Sequence, residues 1–350
     1  MILRRPRRKL SPRPCAEADA ASRVLPNAHR DGLAEMSFLI RALAFIGRYA
    51  TQGFAISIMI GLMLPQFAAA ARPFLPVAIF IFVAMTFARV DLHALRAILR
   101  APSGLIFALI WTTLAPILLV GGFLTVVGRD NLDPGLVLGL AILAAAPPIM
   151  SSPAIAMVLG LAPTMLLTVV LVTTALAPFY SPIAAEFVAG VVVPLDVGVL
   201  VTRMLLLIGG AIATAIVIRL VLGEGRIREH KASFDGLGVV TYFLFAVAAM
   251  DGVLFAIMDT PLRVAGYLGI VFAIAFAGIL SAMLILRPLS PSDRFVLGYG
   301  TGQRNMGLLV AALGAATPDT TYLFFALAQF PIYLMPQIVK RFSRRYVVAN

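Results

Sequence analysis

From about residue 50 to about residue 340 the chain is a nearly continuous series of apolar stretches, each close to the length of a membrane crossing. An α-helix rises about 1.5 Å per residue, so a hydrocarbon layer of about 30 Å takes about 20 residues with few charges. Ten stretches meet or approach that length: 50–70, 73–93, 103–127, 134–159, 163–189, 197–222, 235–257, 264–287, 293–315 and 320–340. Pro, Gly and charge stand between them, as in Ala71-Arg72-Pro73, Arg129-Asp130-Asn131 and Gly223 to Lys231. The composition agrees: 61% of residues are hydrophobic and 13% charged, where soluble domains have about 45–50% apolar and about 25% charged residues. A soluble fold has too little polar surface to cover such a chain. The sequence specifies an all-α polytopic membrane protein.

The net charge of +12 sorts by side of the membrane. With the amino terminus inside, the inner loops receive Arg89, Arg96 and Arg100, then Arg219 to Lys231, Arg287 and Arg294, and Lys340 to Arg345. The outer loops receive only Arg72, Arg129 and Arg263. Cytoplasmic loops concentrate Lys and Arg, so both termini are expected in the cytoplasm and the protein in the cell inner (plasma) membrane. No basic face is interleaved with aromatics in the way single-stranded nucleic acid requires, so the partners expected are the bilayer and a small molecule.

Residues 1–35 are rich in Arg and Pro and hold no long apolar run, the composition of a disordered basic tail. Met36 opens a second candidate start, in which case that tail is not translated in the native protein. Residues 36–49 carry Arg41 and Arg48, are too short to span, and read as an interfacial helix.

Enzyme chemistry finds no support. The only cysteine, Cys15, lies in the tail, and His29, His93 and His230 lie in the tail or loops. Neither HExxH, GxSxG nor a Walker lysine motif occurs. No catalytic residue, cofactor or metal site is expected.

Ten spans divide into two sets of five, 50–190 and 191–345. An odd number of helices per half obliges the second half to insert upside down, the inverted repeat of many secondary transporters. The fourth span contains Pro147, Pro148 and Pro153 near its middle, and the ninth contains Gly298, Gly300, Gly302 and Gly307. Interrupted helices at membrane depth survive only where they pack in protein or line a wet cavity. Matched interruptions in two halves point to a transport site, with Pro147, Pro148, Pro153, Gly300 and Gly302 shaping the broken backbone.

The stretches PPIMSSPAIAMVLGLAPTMLLTVVLVTTALAPFYSP (147–182), GYGTGQRNMGLLVAAL (298–313) and FLPVAIFIFVAMTFARVDLHALRAILRAP (74–102) resemble the bile acid:sodium symporter superfamily, over roughly residues 50–340. The resemblance implies a panel of spans 1, 2, 6 and 7 and a core of spans 3–5 and 8–10. In that core, broken helices 4 and 9 cross. The family moves organic anions by alternating access.

The chain departs from the family where sodium would sit. Gly300 stands where an acid is expected and Arg304 where a glutamine is expected, while Ser152, Thr174 and Asn305 are retained. Arg304 falls near mid-bilayer, where a charge costs about 2.5–3.5 kcal/mol on insertion scales and marks a substrate or ion path. The sequence therefore predicts a carrier for a small organic anion such as a carboxylate or bile-acid-like molecule. Sodium is not required, and Arg304 stands in for the bound cation, bracing backbone carbonyls or meeting a substrate carboxylate. Ser151, Ser152, Thr174, Thr301, Gln303, Arg304 and Asn305 are the candidate lining. Asp251 is the candidate ion-pair partner of Arg304 or proton-coupling acid. Sodium, a proton or no ion remain open as the coupling species, and a non-transporting sensor or structural module is the alternative on the same fold.

Overall fold

The computed structural model describes residues 50–90 and 102–345; the expected basic tail, the expected interfacial helix at 36–49, and residues 91–101 and 346–350 lie outside the described residues. Sixteen α-helices follow in order: α1 (Ala50–Met63), α2 (Pro65–Ala71), α3 (Leu75–Ala88), α4 (Pro102–Val127), α5 (Pro134–Ala145), α6 (Ser152–Val158), α7 (Thr164–Ala189), α8 (Val197–Met204), α9 (Gly210–Glu229), α10 (Lys231–Ala249), α11 (Val253–Asp259), α12 (Pro261–Ile285), α13 (Pro291–Gly302), α14 (Gly307–Leu313), α15 (Asp319–Leu327) and α16 (Gln329–Ser343).

Among the described residues, seven segments are long and apolar enough to cross a membrane: Pro65–Ala88, Ser103–Val127, Thr164–Val192, Val197–Glu229, Gly236–Asp259, Pro261–Ile285 and Asp319–Ser343. The protein is thus a helical polytopic membrane protein. Side chains such as Leu206, Leu220 and Leu262 stand exposed on these helices, as expected where hydrocarbon rather than water covers them.

Three of the ten expected crossings are not among these seven. The stretch 50–70 holds the 14-residue α1 and then turns at Leu64 into α2. The expected turn at Ala71-Arg72-Pro73 is instead a tight helical turn, Arg72–Phe74, that runs on into α3. Proline is tolerated there because the first turn of a helix needs no N–H from it. The other two, 134–159 and 293–315, are broken. Each begins as a 12-residue helix and resumes as a 7-residue one: α5 then α6, and α13 then α14.

The first helix of each broken pair starts in the same way. Asp133 precedes Pro134 and accepts from the amides of Gly135 and Leu136 at 2.9 and 3.2 Å. Ser290 precedes Pro291 and accepts from the Asp293 amide at 3.1 Å. A capping oxygen followed by proline satisfies orphan N–H groups and pre-sets the first helical φ.

The helices assemble as two packing groups. In one, α10 lies against α1, α2 and α3, and α9 lies against α3. In the other, α5 packs on α4, α7 and α15, while α13 packs on α4, α7 and α12. The tightest seam is between α12 and α13. A Cβ at Gly302 would stand 2.5 Å from the Ala275 carbonyl oxygen, and one at Gly278 would stand 2.5 Å from Gly302 Cα. Gly298, one turn earlier, faces Ile279 Cα at 2.8 Å by the same measure. Small residues four apart let two backbones approach this closely, which is how membrane helices gain packing without a hydrophobic driving force.

Candidate functional site

The two breaks meet. Proline at 147 and 148 withdraws two N–H groups from the helix ladder, and α5 ends at Ala145 with Ala146 extended. Ser181 of α7 donates to the stranded Ala145 carbonyl at 2.8 Å. On the other side α13 ends at Gly302, and Gln303 is extended at φ −109 and ψ 110. The two extended segments cross antiparallel, Pro148 opposite Arg304. The Ile149 amide donates to the Gln303 carbonyl at 2.9 Å, and the Asn305 amide to the Pro147 carbonyl at 2.8 Å. Proline fits at 148 because that pair is flanked by the ladder bonds and needs no N–H of its own.

The glycines play a different part from the one expected. Gly300 and Gly302 lie within α13, and neither has positive φ. A Cβ at Gly300 would meet Leu166 at 2.6 Å and Pro148 at 3.5 Å. They are small so that α13 can press against α12, Leu166 and the opposite break. The break itself is carried by Gln303 to Met306.

Arg304 is 4% exposed. Its Nη1 donates to the Thr112 carbonyl at 2.9 Å and reaches the Gly300 carbonyl at 3.5 Å. Thr112 lies four residues before Pro116, which sits inside α4. Proline cannot donate the helical bond back to residue 112, so Arg304 supplies the missing donor from another helix. The Gly300 carbonyl belongs to the last turn of α13, where the helix dipole is negative. Arg304 Nε and Nη2 are buried without partners, as is the Tyr180 hydroxyl.

Asp251 is not the partner of Arg304. It accepts from Arg72 at 3.1 Å, and Arg72 also approaches Asp319 at 3.7 Å and covers the Tyr322 ring at 4.0 Å. The reason is placement: Asp251 lies just past the end of α10, in the turn closed by Gly252 at φ +77. There the turn preceding α3 reaches it and the crossing does not.

The candidate hydroxyls divide. Ser152 donates to the Ile149 carbonyl at 2.7 Å and Thr301 to Leu297 at 2.9 Å, both within their own segment. Ser151, Thr174 and the Gln303 amide nitrogen are buried without partners. Pro153 occupies the first turn of α6.

A small cavity of about 30 Å³ opens beside the crossing. Ile149, Arg304, Asn305, Met306 and Gly307 form its crossing wall; Ala78, Ile79, Phe82 and Val83 of α3 and Thr241, Tyr242 and Phe245 of α10 face them, with Gln329 of α16. It therefore lies between the two packing groups. Of the predicted lining, Arg304 and Asn305 are there. The polar groups missed were Thr241, Tyr242 and Gln329. Their signal in the sequence was a polar side chain within an apolar span, a common enough event that it does not single out a site. Arg203 caps a helix end, donating to the Ala312 and Leu313 carbonyls at 3.2 Å each. Among the described residues no group of His, Cys, Asp and Glu is arranged to hold a metal ion. No protein-family model matches the chain, and no curated protein does.

Proposed function

We propose that this chain is a secondary active transporter of a small organic anion, working by alternating access without sodium. The observation that carries this reading is the buried guanidinium of Arg304 at the crossing of two broken helices, beside a cavity that lies between two packing groups. Broken helices in carriers offer unwound carbonyls and helix C-termini to a coupling cation. Here a tethered cation already bonds the Thr112 and Gly300 carbonyls.

The family-level reading belongs to the same proposal: a divergent bile acid:sodium symporter relative with ten crossings in two inverted halves, both termini cytoplasmic, in the inner membrane. The matched 12- and 7-residue pieces, with the 12-residue helix of each pair opened by a capping residue and proline, support the inverted repeat. In this scheme the group with α1, α2, α3, α9 and α10 serves as the panel. The group carrying the crossing moves against it, exposing the cavity to one side and then the other. Asn305, Gln329, Thr241 and Tyr242 give the cavity hydrogen-bonding groups, and Phe82 and Phe245 give it apolar walls.

Purified protein in proteoliposomes tests the reading directly. Uptake of radiolabelled organic acids should proceed equally with and without a sodium gradient. Strict dependence on sodium overturns the tethered-cation mechanism. Absence of transport across a broad set of carboxylates and bile-acid-like anions favours a sensor or structural module.

A further inference from the structure

A larger opening lies on the outside of the helix assembly, where the two packing groups meet. It is a groove of about 450 Å³ walled by Val77 and Phe80 of α3, by Leu206 and Leu207, and by Ala311 of α14, with Arg203 at its rim. Helix α3 belongs to one packing group, and α14 resumes the broken helix of the other. Val77 is 53% and Leu206 72% exposed, so these walls face the surroundings of the helices rather than their interior.

The chain is irregular at this groove. Residues Leu205–Gly209, between α8 and α9, form a π-helical turn. Such turns are rare within α-helices and recur at functional sites. The next residue, Gly210, leaves room for the Phe80 ring: a Cβ there would stand 3.2 Å from it.

The groove is polar at one end only, and depth decides which end. Arg203 stands six residues into the span Val197–Glu229, about 9 Å along its axis. That span has 33 residues and so overreaches a hydrocarbon layer of about 30 Å. Arg203 therefore falls where headgroups meet acyl chains, and Leu206 and Leu207 fall one turn deeper. The Arg203 guanidinium is held at the rim by the Ala312 and Leu313 carbonyls, both neutral and both met by Nη1. None of the described ion pairs includes Arg203, and its side chain is exposed. Its remaining N–H donors are free to meet an oxyanion.

We propose that this groove binds an anionic phospholipid of the bilayer, its phosphate on Arg203 and one acyl chain laid along Val77, Phe80, Leu206 and Ala311. A cation at headgroup depth above an apolar trough matches such a molecule end for end. The lipid is a resident of the seam between the two packing groups and not a cargo.

Thermal unfolding of the full chain in neutral detergent tests the proposal, with added phosphatidylglycerol, phosphatidylcholine or cholate. Cross-linking by phosphatidylglycerol that carries a photoreactive diazirine in one acyl chain gives the position. Phosphatidylglycerol should raise the midpoint saturably, by about 3 °C, and phosphatidylcholine by less than about 1 °C. Arg203→Gln should raise the phosphatidylglycerol concentration needed about tenfold, the effect of one hydrogen bond to a charged group. Val77→Trp, which fills the trough and leaves Arg203 in place, should weaken the response comparably. Leu280→Trp on α12, at a side chain 61% exposed, should leave it unchanged. Adducts should map to Val77, Phe80, Leu206 or Leu207. Equal midpoints in the two phospholipids overturn the proposal, as does an unchanged response in Val77→Trp or adducts elsewhere only. Displacement of the photoreactive lipid by cholate at lower concentration than by phosphatidylglycerol overturns it too, and makes the groove an entry for cargo. Should Arg203→Gln fail to fold, Val77→Trp and the adduct positions decide. No readout needs transport, so this inference and the carrier reading fail separately.

Discussion

Arg304, at the break of one helix, supplies the hydrogen bond that Pro116 denies to Thr112 in the continuous helix α4. The Nη1 to carbonyl distance is 2.9 Å, and the carbonyl concerned is the one four residues before the proline in α4. A second pair follows the same rule: Pro336 lies within α16, and the Tyr299 hydroxyl donates to the Ile332 carbonyl at 3.2 Å. Away from water each freed carbonyl needs such a donor.

The first prediction separates this bond from the charge that makes it. Arg304→Gln alone both strands a carbonyl and removes a buried cation, two effects of opposite sign. In a Pro116→Ala background the helix regains its own N–H for Thr112. The cost of Arg304→Gln should then fall by about 0.5–1.5 kcal/mol. Equilibrium unfolding of the four proteins of the cycle in detergent measures it, and additive effects would show that the carbonyl is not what Arg304 satisfies.

Gly302→Ala should destabilise the protein by about 1–3 kcal/mol, because the added carbon meets the α12 backbone rather than a movable side chain. Gly121→Ala is the control: nothing stands within 4 Å of a Cβ there, so it should be neutral or stabilising by up to about 1 kcal/mol. Melting midpoints of the two variants give the comparison directly.

Much of the architecture was legible in the sequence because its cause is local. A span that must satisfy its backbone internally announces itself by length and apolarity, and consecutive prolines at 147 and 148 announce the break. The location of Arg304 at an interruption was legible for the same reason. Its partners were not, because Thr112 lies 192 residues away and the demand for a donor arises from Pro116. The glycine-rich run of α13 marked an unusual place correctly, but composition cannot distinguish a helix that unwinds from one that is pressed against a neighbour. Span membership did not reveal that Asp251 pairs with Arg72 rather than Arg304. Its position past the end of α10 depends on a glycine turn, and Arg72 comes to it from a segment that reads as a loop.

Asp251→Asn should cost no more than about 1 kcal/mol, since Arg72 is 35% exposed and keeps its contact with the Tyr322 ring. Transport of the organic anion should persist in this variant with its dependence on pH unchanged. Loss of that dependence would make Asp251 the coupling acid despite its pairing.

Gln329→Ala should raise KM about tenfold if the substrate takes one hydrogen bond from this side chain. The Gln329 amide nitrogen donates to the Phe325 carbonyl at 3.1 Å, while its carbonyl oxygen is buried without a partner. Thr241→Trp should abolish uptake by filling the cavity from α10 while the midpoint moves by only a few degrees. Initial rates in proteoliposomes, paired with melting curves, separate occlusion from misfolding.

The near-touching backbones of α12 and α13 limit how such a machine can move. Where two main chains lie with no room for a methyl group between them, neither can slide or rotate past the other without collision. The pair behaves as one strut, and the broken segment riveted to it through Pro147 and Gln303 must travel along. Displacement is thereby confined to the softer, aromatic-faced boundary at Phe82, Tyr242 and Phe245, which is where cargo would be exchanged.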